Sequence, residues 1–508
     1  MPKNISPSKH ADYNGFRPLL DTADATTVRF WDVGTGNCNT LINAAGQQFL
    51  FYDFGGNGTG NSSKTYPSPH PAFDFTANPT FIISHWDDDH VYSIKKFAAA
   101  GACQWIGPRE DIAPKTLKVI NSKCTNLRAY VSGGPAHYTF TTSTGIELKM
   151  VRCTGNPHGL NAADRKERND TGIALFLYFH TPAWVAVDAM KRHATAHPGQ
   201  KNATAAAAGG LGTDIYKNCV ILAASDPLHA DETAVVAAAQ AALVQNPHPV
   251  KLMAQAVIAA LDAAKATPLN AAAAAAAVQG ITGNNPAHRY LHGVWDAAQK
   301  AATNQPGNAA AVATDAKAAL TPGLVTNPAA VAAVAMYEHA LANVADLDGT
   351  LAAAGAPGDN PYAMRVLAAA KEERKKLTAT ARSVALAGVD ALSPPTTVRS
   401  AVLLTGDACY QSIPNALAHA WDVLEAYHHG SYLNFTQGTN SSTPPRPVLE
   451  GHSRIVYSSG KRGAMKVHGH PHADAINKYR QFGWAQAREL YTASMPGAPR
   501  GNRDYAIP

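Results

Sequence analysis

Phe81-Ile82-Ile83-Ser84-His85-Trp86-Asp87-Asp88-Asp89-His90 decides how the rest of this chain is read. Phe81-Ile82-Ile83 is a short apolar run of the kind that forms a buried strand, and the polar residues after it mark where that strand gives way to a loop. His85, Asp87, Asp89 and His90 place two imidazoles and two carboxylates within six residues. Side chains so costly to desolvate are hard to place beside a buried strand unless a cation holds them. The stretch is therefore expected to bind metal rather than to form a solvated acidic turn.

Upstream, residues 27–30, 40–42 and 48–52 are β-branched and aromatic with glycines between them, which predicts a β-meander ending at Asp53. Residues 55–80 are rich in Gly, Asn, Ser and Pro and predict a long loop bordering the site. Downstream, 91–100 predict a helix and 105–107 a strand. Residues 147–152 alternate like a strand and end at a junction that places His158 much as His85 is placed, with His137 as its competitor. Residues 172–179 and 184–187 read as paired strands joined at His180-Thr181-Pro182. Further on, 398–405 predict a strand ending at Gly406-Asp407, 413–425 a helix leading to His428-His429-Gly430, and 454–459 a late strand. Residues 463–471 then form a loop and 473–482 a covering helix.

Between 190 and 398 the sequence turns alanine-rich, and alanine is the best helix former. Asn246-Pro247, Asn285-Pro286, Asn327-Pro328 and Asn360-Pro361 have the chemistry of helix starts, asparagine capping orphan amides and proline occupying a first turn that needs no donor. Larger apolar residues recur at helical spacing over 250–266, 289–302, 329–346 and 364–387. The expectation is a helical insertion rather than a low-complexity spacer.

The 508 residues exceed the usual size of one domain, and 46% hydrophobic with 16% charged residues describes a globular chain with a large core. A formal charge of +6 is compatible with anionic substrates but does not point to nucleic acid. The first residues lack the apolar core of a signal peptide and no run is apolar enough to span a membrane, so no membrane partner and a cytoplasmic location are expected. Six scattered cysteines without C-x-x-C spacing predict reduced core residues.

His85-x-Asp87-x-Asp89-His90 resembles the H-x-H-x-D-H signature of the metallo-β-lactamase superfamily, with Asp87 in place of the second histidine. That variant is similar to the hydrolase domain of ComEC-type DNA-uptake proteins and their soluble relatives. Asp32-Val33-Gly34-Thr35-Gly36-Asn37, Leu403-Leu404-Thr405-Gly406-Asp407-Ala408, His428-His429-Gly430-Ser431 and Gly469-His470-Pro471-His472 resemble further segments of that group, in the same order. The resemblance implies an α/β fold, an αββα metallo-β-lactamase sandwich. Residues 1–189 and 399–508 would be its two halves, and 190–398 a large alanine-rich all-helical insertion.

The same resemblance implies two divalent metal ions, Zn²⁺ or Mn²⁺. His85, Asp87 and His158 would hold one ion, and Asp89, His90 and His429 the other. Asp407 would bridge them in preference to its rival Asp188, and Asp53 would support the loop. Asp89 and His428 are the candidate catalytic residues. Adjacent side chains do not easily point the same way, so His429 takes the metal and His428 contacts substrate or delivers a proton. His470 and His472 are the candidate substrate contacts, with loop-capping as the alternative role.

The implied activity is that of a metal-dependent hydrolase, a phosphodiesterase or nuclease-like enzyme acting on a phosphoester such as nucleic acid or a nucleotide. The alternatives are hydrolysis of a lactone, thioester or β-lactam, and a partner-regulated effector whose helical insertion docks another protein.

Overall fold

The structure is a computed structural model that describes residues 25–56, 66–108, 112–130, 137–154, 171–210, 215–244, 249–266, 270–282, 289–320, 328–355, 361–392, 398–431, 443–448, 453–458, 470–492 and 500–507. It divides into two compact units, one made of Met1–Phe179 with Ser400–Ile507 and the other of His180–Arg399.

The first unit holds two mixed seven-stranded sheets, so the chain is α/β. β1 (Ala25–Phe30), β2 (Asn39–Asn43) and β3 (Gln48–Tyr52) form the antiparallel meander that their alternating β-branched and aromatic residues predict. β4 (Thr80–Ile82), β5 (Gln104–Pro108) and β6 (Asn126–Tyr130) then add in parallel. Parallel neighbours need crossovers. Between β4 and β5 the crossover is a single turn α1 (Asp88–Val91) and two 3₁₀ segments, Tyr92–Lys95 and Ala98–Ala102, where one helix over 91–100 was expected. Between β5 and β6 it is α2 (Pro114–Lys123).

The second sheet repeats the plan. β7 (His137–Thr141), β8 (Ile146–Arg152) and β9 (Ile173–His180) are an antiparallel meander, and β10 (Val398–Leu404), β11 (Val423–Glu425), β12 (Arg454–Tyr457) and β13 (Glu489–Tyr491) run parallel to one another. α3 (Ala473–Gln481) precedes β13, as expected, and β14 (Arg503–Ala506) returns to pair with β1. The helix expected over 413–425 is absent. Only the 3₁₀ turn Ala416–Ala418 and β11 occupy that stretch, whose alanines and leucine concealed a buried strand.

One core lies between the sheets. Val28, Leu41, Leu50, Tyr52 and Ile82 from the first meet Leu148, Leu175, Leu177, Val402 and Val423 from the second. The other face of the first sheet carries an aromatic ladder set by register: Phe51 opposes Phe81 and Phe81 opposes Trp105, with ring centroids at 4.6 and 4.4 Å. Each stacked pair contributes about 0.5–1.5 kcal/mol beyond burial. Ile94 and Ile120 cover that ladder, while Tyr479 of α3 packs on Tyr410 and Tyr457.

The second unit is all-helical among its described residues, from Pro182–Ala196 to Ala381–Asp390. Residues 184–187 are therefore helical, not the strand expected of them. Thr181 accepts from the Trp184 amide and Pro182 stands in the first turn, the same start chemistry that marks the asparagine–proline pairs. Pro328 and Pro361 do open helices, and Pro249–Ala266 and Arg289–Asn304 fall where the spacing puts them. Asn246-Pro247 and Asn285-Pro286 lie outside the described residues. The expected 364–387 helix is two, Pro361–Arg374 and Ala381–Asp390, the second opened by a Thr380–Ser383 capping box. Alanines such as Ala254, Ala260, Ala274, Ala313 and Ala333 are buried in this unit's own core. Among the described residues no helix is long and apolar enough to cross a membrane, and all six cysteines are buried and form no disulfide with one another.

Candidate metal centre

The expected ligands among the described residues gather at the C-terminal ends of parallel strands, the edge where open α/β sheets place their sites. Residues 84–90 follow β4, Asp407 follows β10, and His428 and His429 follow β11. Asp89, His90, Asp407 and His429 each offer a ligand atom, and these atoms all lie within 4.8 Å of one another. This buried cluster can hold a metal ion.

Asp407 stands at its centre with its two oxygens facing different partners. Oδ1 lies 3.3 Å from His90 Nε2 and 3.6 Å from His429 Nε2. Oδ2 lies 3.9 Å from His85 Nε2 and 3.7 Å from His428 Nδ1. Asp89 Oδ2 is 3.4 Å from His429 Nε2 and 3.9 Å from His90 Nε2, and Asp87 Oδ2 is 3.7 Å from His85 Nε2.

Asp53 and Ser84 aim the two loop histidines. The buried Asp53 carboxylate accepts from the Ser84 amide at 2.7 Å, from Ser84 Oγ at 2.8 Å and from His90 Nδ1 at 2.7 Å. Because Ser84 spends its proton on Asp53, its oxygen is left to accept from His85 Nδ1 at 3.1 Å. Both Nδ1 atoms therefore carry the proton, and both Nε2 lone pairs face carboxylates. Neither Nε2 nor Asp407 Oδ1 has a hydrogen-bond partner among the described residues. Acceptors facing acceptors in a buried site call for a positive charge between them, a second proton on each ring or a metal ion.

The backbone is clamped as tightly. Gly56 N donates to Asp89 O at 2.9 Å and Phe54 N to His90 O at 2.9 Å. A Cβ on Gly55 would lie 2.0 Å from Asp89 O, so only glycine lets Asp53-Phe54-Gly55-Gly56 close on the metal loop. A Cβ on Gly36, from the Asp32–Asn37 motif, would lie 2.3 Å from the same carbonyl. Asp32 itself pairs with Arg500 and accepts from the Gly34 amide, a structural role.

Electrostatics follow from burial and crowding. Burial works to lower the His90 pKa, but Asp53, Asp407 and Asp89 hold it well above the usual imidazole range. His85 and His429 are raised in the same way, His85 by Asp87 and Asp407, His429 by Asp407 and Asp89. Burial works to raise Asp407, but His428, His90 and His429 hold it well below the carboxylate range, and His90 and His429 hold Asp89 at about 2 against the same opposition. His85 lowers Asp87, and burial lowers His428.

His158 lies outside the described residues. His137 is exposed at the start of β7 and is not in the cluster. Asp188 sits on the Pro182–Ala196 helix of the second unit, ion-paired to Arg192 at 3.1 Å. Of the two expected substrate contacts, His470 brings its ring to 5.6 Å of His428 and 6.4 Å of His429, whereas His472 caps α3 by accepting from the Asp474 amide. Adjacent side chains were expected to diverge, yet the rings of His428 and His429 come to 3.7 and 3.6 Å of the two Asp407 oxygens. Both residues adopt left-handed backbone, φ 43° and 56°, which turns both rings onto Asp407.

Sequence reasoning also passed over Glu425. Fully buried at the end of β11, it accepts from the Thr405 amide at 3.0 Å, the Gly406 amide at 3.3 Å and Asn39 Nδ2 of the opposite sheet at 2.7 Å. Burial raises its pKa to about 7. It fixes the turn that presents Asp407. The available signal was an acid closing the apolar run Val423-Leu424, hidden by the helical reading.

No family model and no curated protein matches this sequence. That the cluster can hold a metal ion rests on its own residues.

Proposed function

We propose that the first unit is a metallo-β-lactamase-type αββα sandwich acting as a metal-dependent hydrolase, and that its substrates are phosphodiesters. The observation that carries the proposal is the position of Asp407. Its Oδ1 lies 3.3 and 3.6 Å from His90 and His429, in the group that can hold an ion, and its Oδ2 lies 3.9 Å from His85, which in turn is 3.7 Å from Asp87; this supports reading the carboxylate as a bridge between two sets of donors. Ions bound in both sets would supply an acidified water and stabilise the oxygens entering and leaving phosphorus. The protein's own part is orientation. Asp53 and Ser84 hold the loop histidines as neutral donors toward the cluster, and Glu425 holds the turn bearing Asp407.

Three carboxylates among the donors suit Mn²⁺ as well as Zn²⁺. The resemblance of the motifs to the ComEC-type group favours a phosphodiester over a lactone, thioester or β-lactam. The test is to load the full-length protein with Mn²⁺ or Zn²⁺ and assay a chromogenic phosphodiester, single- and double-stranded nucleic acid, and a lactone and β-lactam panel. Phosphodiester cleavage that a chelator abolishes is the expected result. Turnover of lactones or β-lactams alone would overturn the substrate reading, and failure to take up either metal would overturn the hydrolase reading.

A further inference from the structure

We infer that His428 is a metal ligand, the donor that joins His85 and Asp87 on the Asp407 Oδ2 side, rather than a proton carrier. The inference rests on the two-ion reading above and deepens it. The motifs give the Oδ2 side His85 and Asp87 and look to His158 for its third donor, while His428 stands beside the same oxygen as His85.

Distances are the first argument. His428 Nδ1 is 3.7 Å and His85 Nε2 3.9 Å from Asp407 Oδ2, and Asp87 Oδ2 is 3.7 Å from His85 Nε2. All are too long for hydrogen bonds. Each of these neighbouring pairs approaches the separation of roughly 3.4 Å between donors that share a tetrahedral ion at bond lengths of about 2.0–2.1 Å, although among the described residues only the Oδ1-side group has all its donor atoms within 4.8 Å of one another. The Oδ1 side, a cluster that can hold an ion, shows the same spacing, 3.3 and 3.6 Å to His90 and His429. Independently, His85 is 1% exposed and its Nε2, aimed into this space, has no hydrogen-bond partner among the described residues. A nitrogen that has lost water and gained nothing points to an absent ligand.

Backbone is the second argument. His428, His429 and Gly430 all have positive φ, at 43°, 56° and 84°. Residues bearing a Cβ rarely adopt that conformation and are held in it where function requires it. His428 N donates to Gly406 O at 3.1 Å and His472 N to Gly430 O at 3.0 Å, so the turn is pinned at both ends. The result is one imidazole of the pair on each oxygen of Asp407.

The experiment counts ions in the full-length protein, wild type against His428→Ala and His428→Gly, by elemental analysis after reconstitution with Mn²⁺ and gel filtration. Electron paramagnetic resonance reports whether two Mn²⁺ ions are exchange-coupled through a shared bridge. His428→Gly guards against a folding defect, because glycine accepts the left-handed conformation without strain. Wild type should take up two ions and show the coupled spectrum. Both variants should hold close to one ion with the spectrum of isolated Mn²⁺, and His428→Gly should melt no lower than wild type when metal-free. A folded variant that keeps two coupled ions overturns the ligand role and leaves the two-ion reading standing. Wild type that takes up fewer than two ions overturns that reading, and this inference with it.

Discussion

Asp53→Asn is the sharpest test of how the cluster is oriented, because it changes a charge and a hydrogen-bond direction with almost no change of shape. Asparagine tolerates the left-handed backbone found at this position, φ 58°. Its carbonyl oxygen can still accept from the Ser84 amide, but its amino group now faces Ser84 Oγ and His90 Nδ1, both donors to Asp53 at 2.8 and 2.7 Å. To avoid donor against donor, His90 must move its proton to Nε2. Ser84 Oγ must accept from the introduced amide, and its freed proton turns toward His85 Nδ1, which lies 3.1 Å away. Both rings then present N–H where lone pairs are needed, and metal binding must first reverse the tautomers. Removing a group that orients a ligand in this way costs about 10–100-fold in metal affinity, or ~1.4–2.8 kcal/mol. Competition against a chromophoric chelator at fixed pH measures this directly, and hydrolysis should recover at saturating metal. Wild-type affinity for both ions in a folded Asp53→Asn would refute the assignment of the tautomers.

Asp407→Ala should lose both ions and all phosphodiester hydrolysis, while Asp188→Ala, which removes only a surface pair with Arg192, should keep both; elemental analysis and one kinetic assay decide it. Gly55→Ala sets a Cβ 2.0 Å from Asp89 O and 2.4 Å from Asn37 O, backbone atoms that cannot swing aside. Denaturant melts should show a loss of at least about 2 kcal/mol, with weakened metal uptake. In the metal-free protein the raised pKa values of His85, His90 and His429 stabilise the fold below about pH 6.5, and that contribution is lost as pH rises through their folded values. The lowered Asp89, at about 2, and Asp407 act in the opposite sense, stabilising above about pH 3.9 and failing as pH drops toward the folded values. Since metal displaces those imidazole protons, the rise in Tm on adding Mn²⁺ should grow between about pH 6 and 8, and a flat profile would refute it.

Much of the first unit was legible because its strands are short, apolar and bounded by glycine. The 27–30, 40–42 and 48–52 meander and the metal loop after Ile83 stand where their residues put them. Misreadings came where local composition and tertiary context disagree. Trp184-Val185-Ala186-Val187 reads as a strand by its β-branched and aromatic residues, yet Thr181 and Pro182 start a helix there. Conversely, Asn415-Ala416-Leu417-Ala418 favours helix, and the chain spends it on a 3₁₀ turn before β11. Of the site, the donor set was legible as residue types in order. The way Ser84 hands its proton to Asp53, and the way Glu425 braces the Asp407 turn, depend on neighbours distant in sequence and leave no local pattern.

Backbone strain separates the site from the rest of the first unit. Among the described residues five non-glycine positions have positive φ, namely Asp53, Asn78, Asn415, His428 and His429. Two are asparagines, a residue that enters this region readily. The other three belong to the candidate metal centre or brace it. Each left-handed residue of that kind costs about 1–3 kcal/mol and persists only where its surroundings hold it. Asp53 is held by its own N–H on Ile82 O at 2.8 Å and by three donors on its carboxylate, and the 428–430 turn is held by Gly406 and His472. Side chains that reach the cluster from strained backbone are pre-positioned before any ion arrives, so metal binding need not reorganise the loops. The same strain explains why adjacent histidines, which normally diverge, both meet Asp407, a geometry that no spacing rule applied to His428-His429 could reveal.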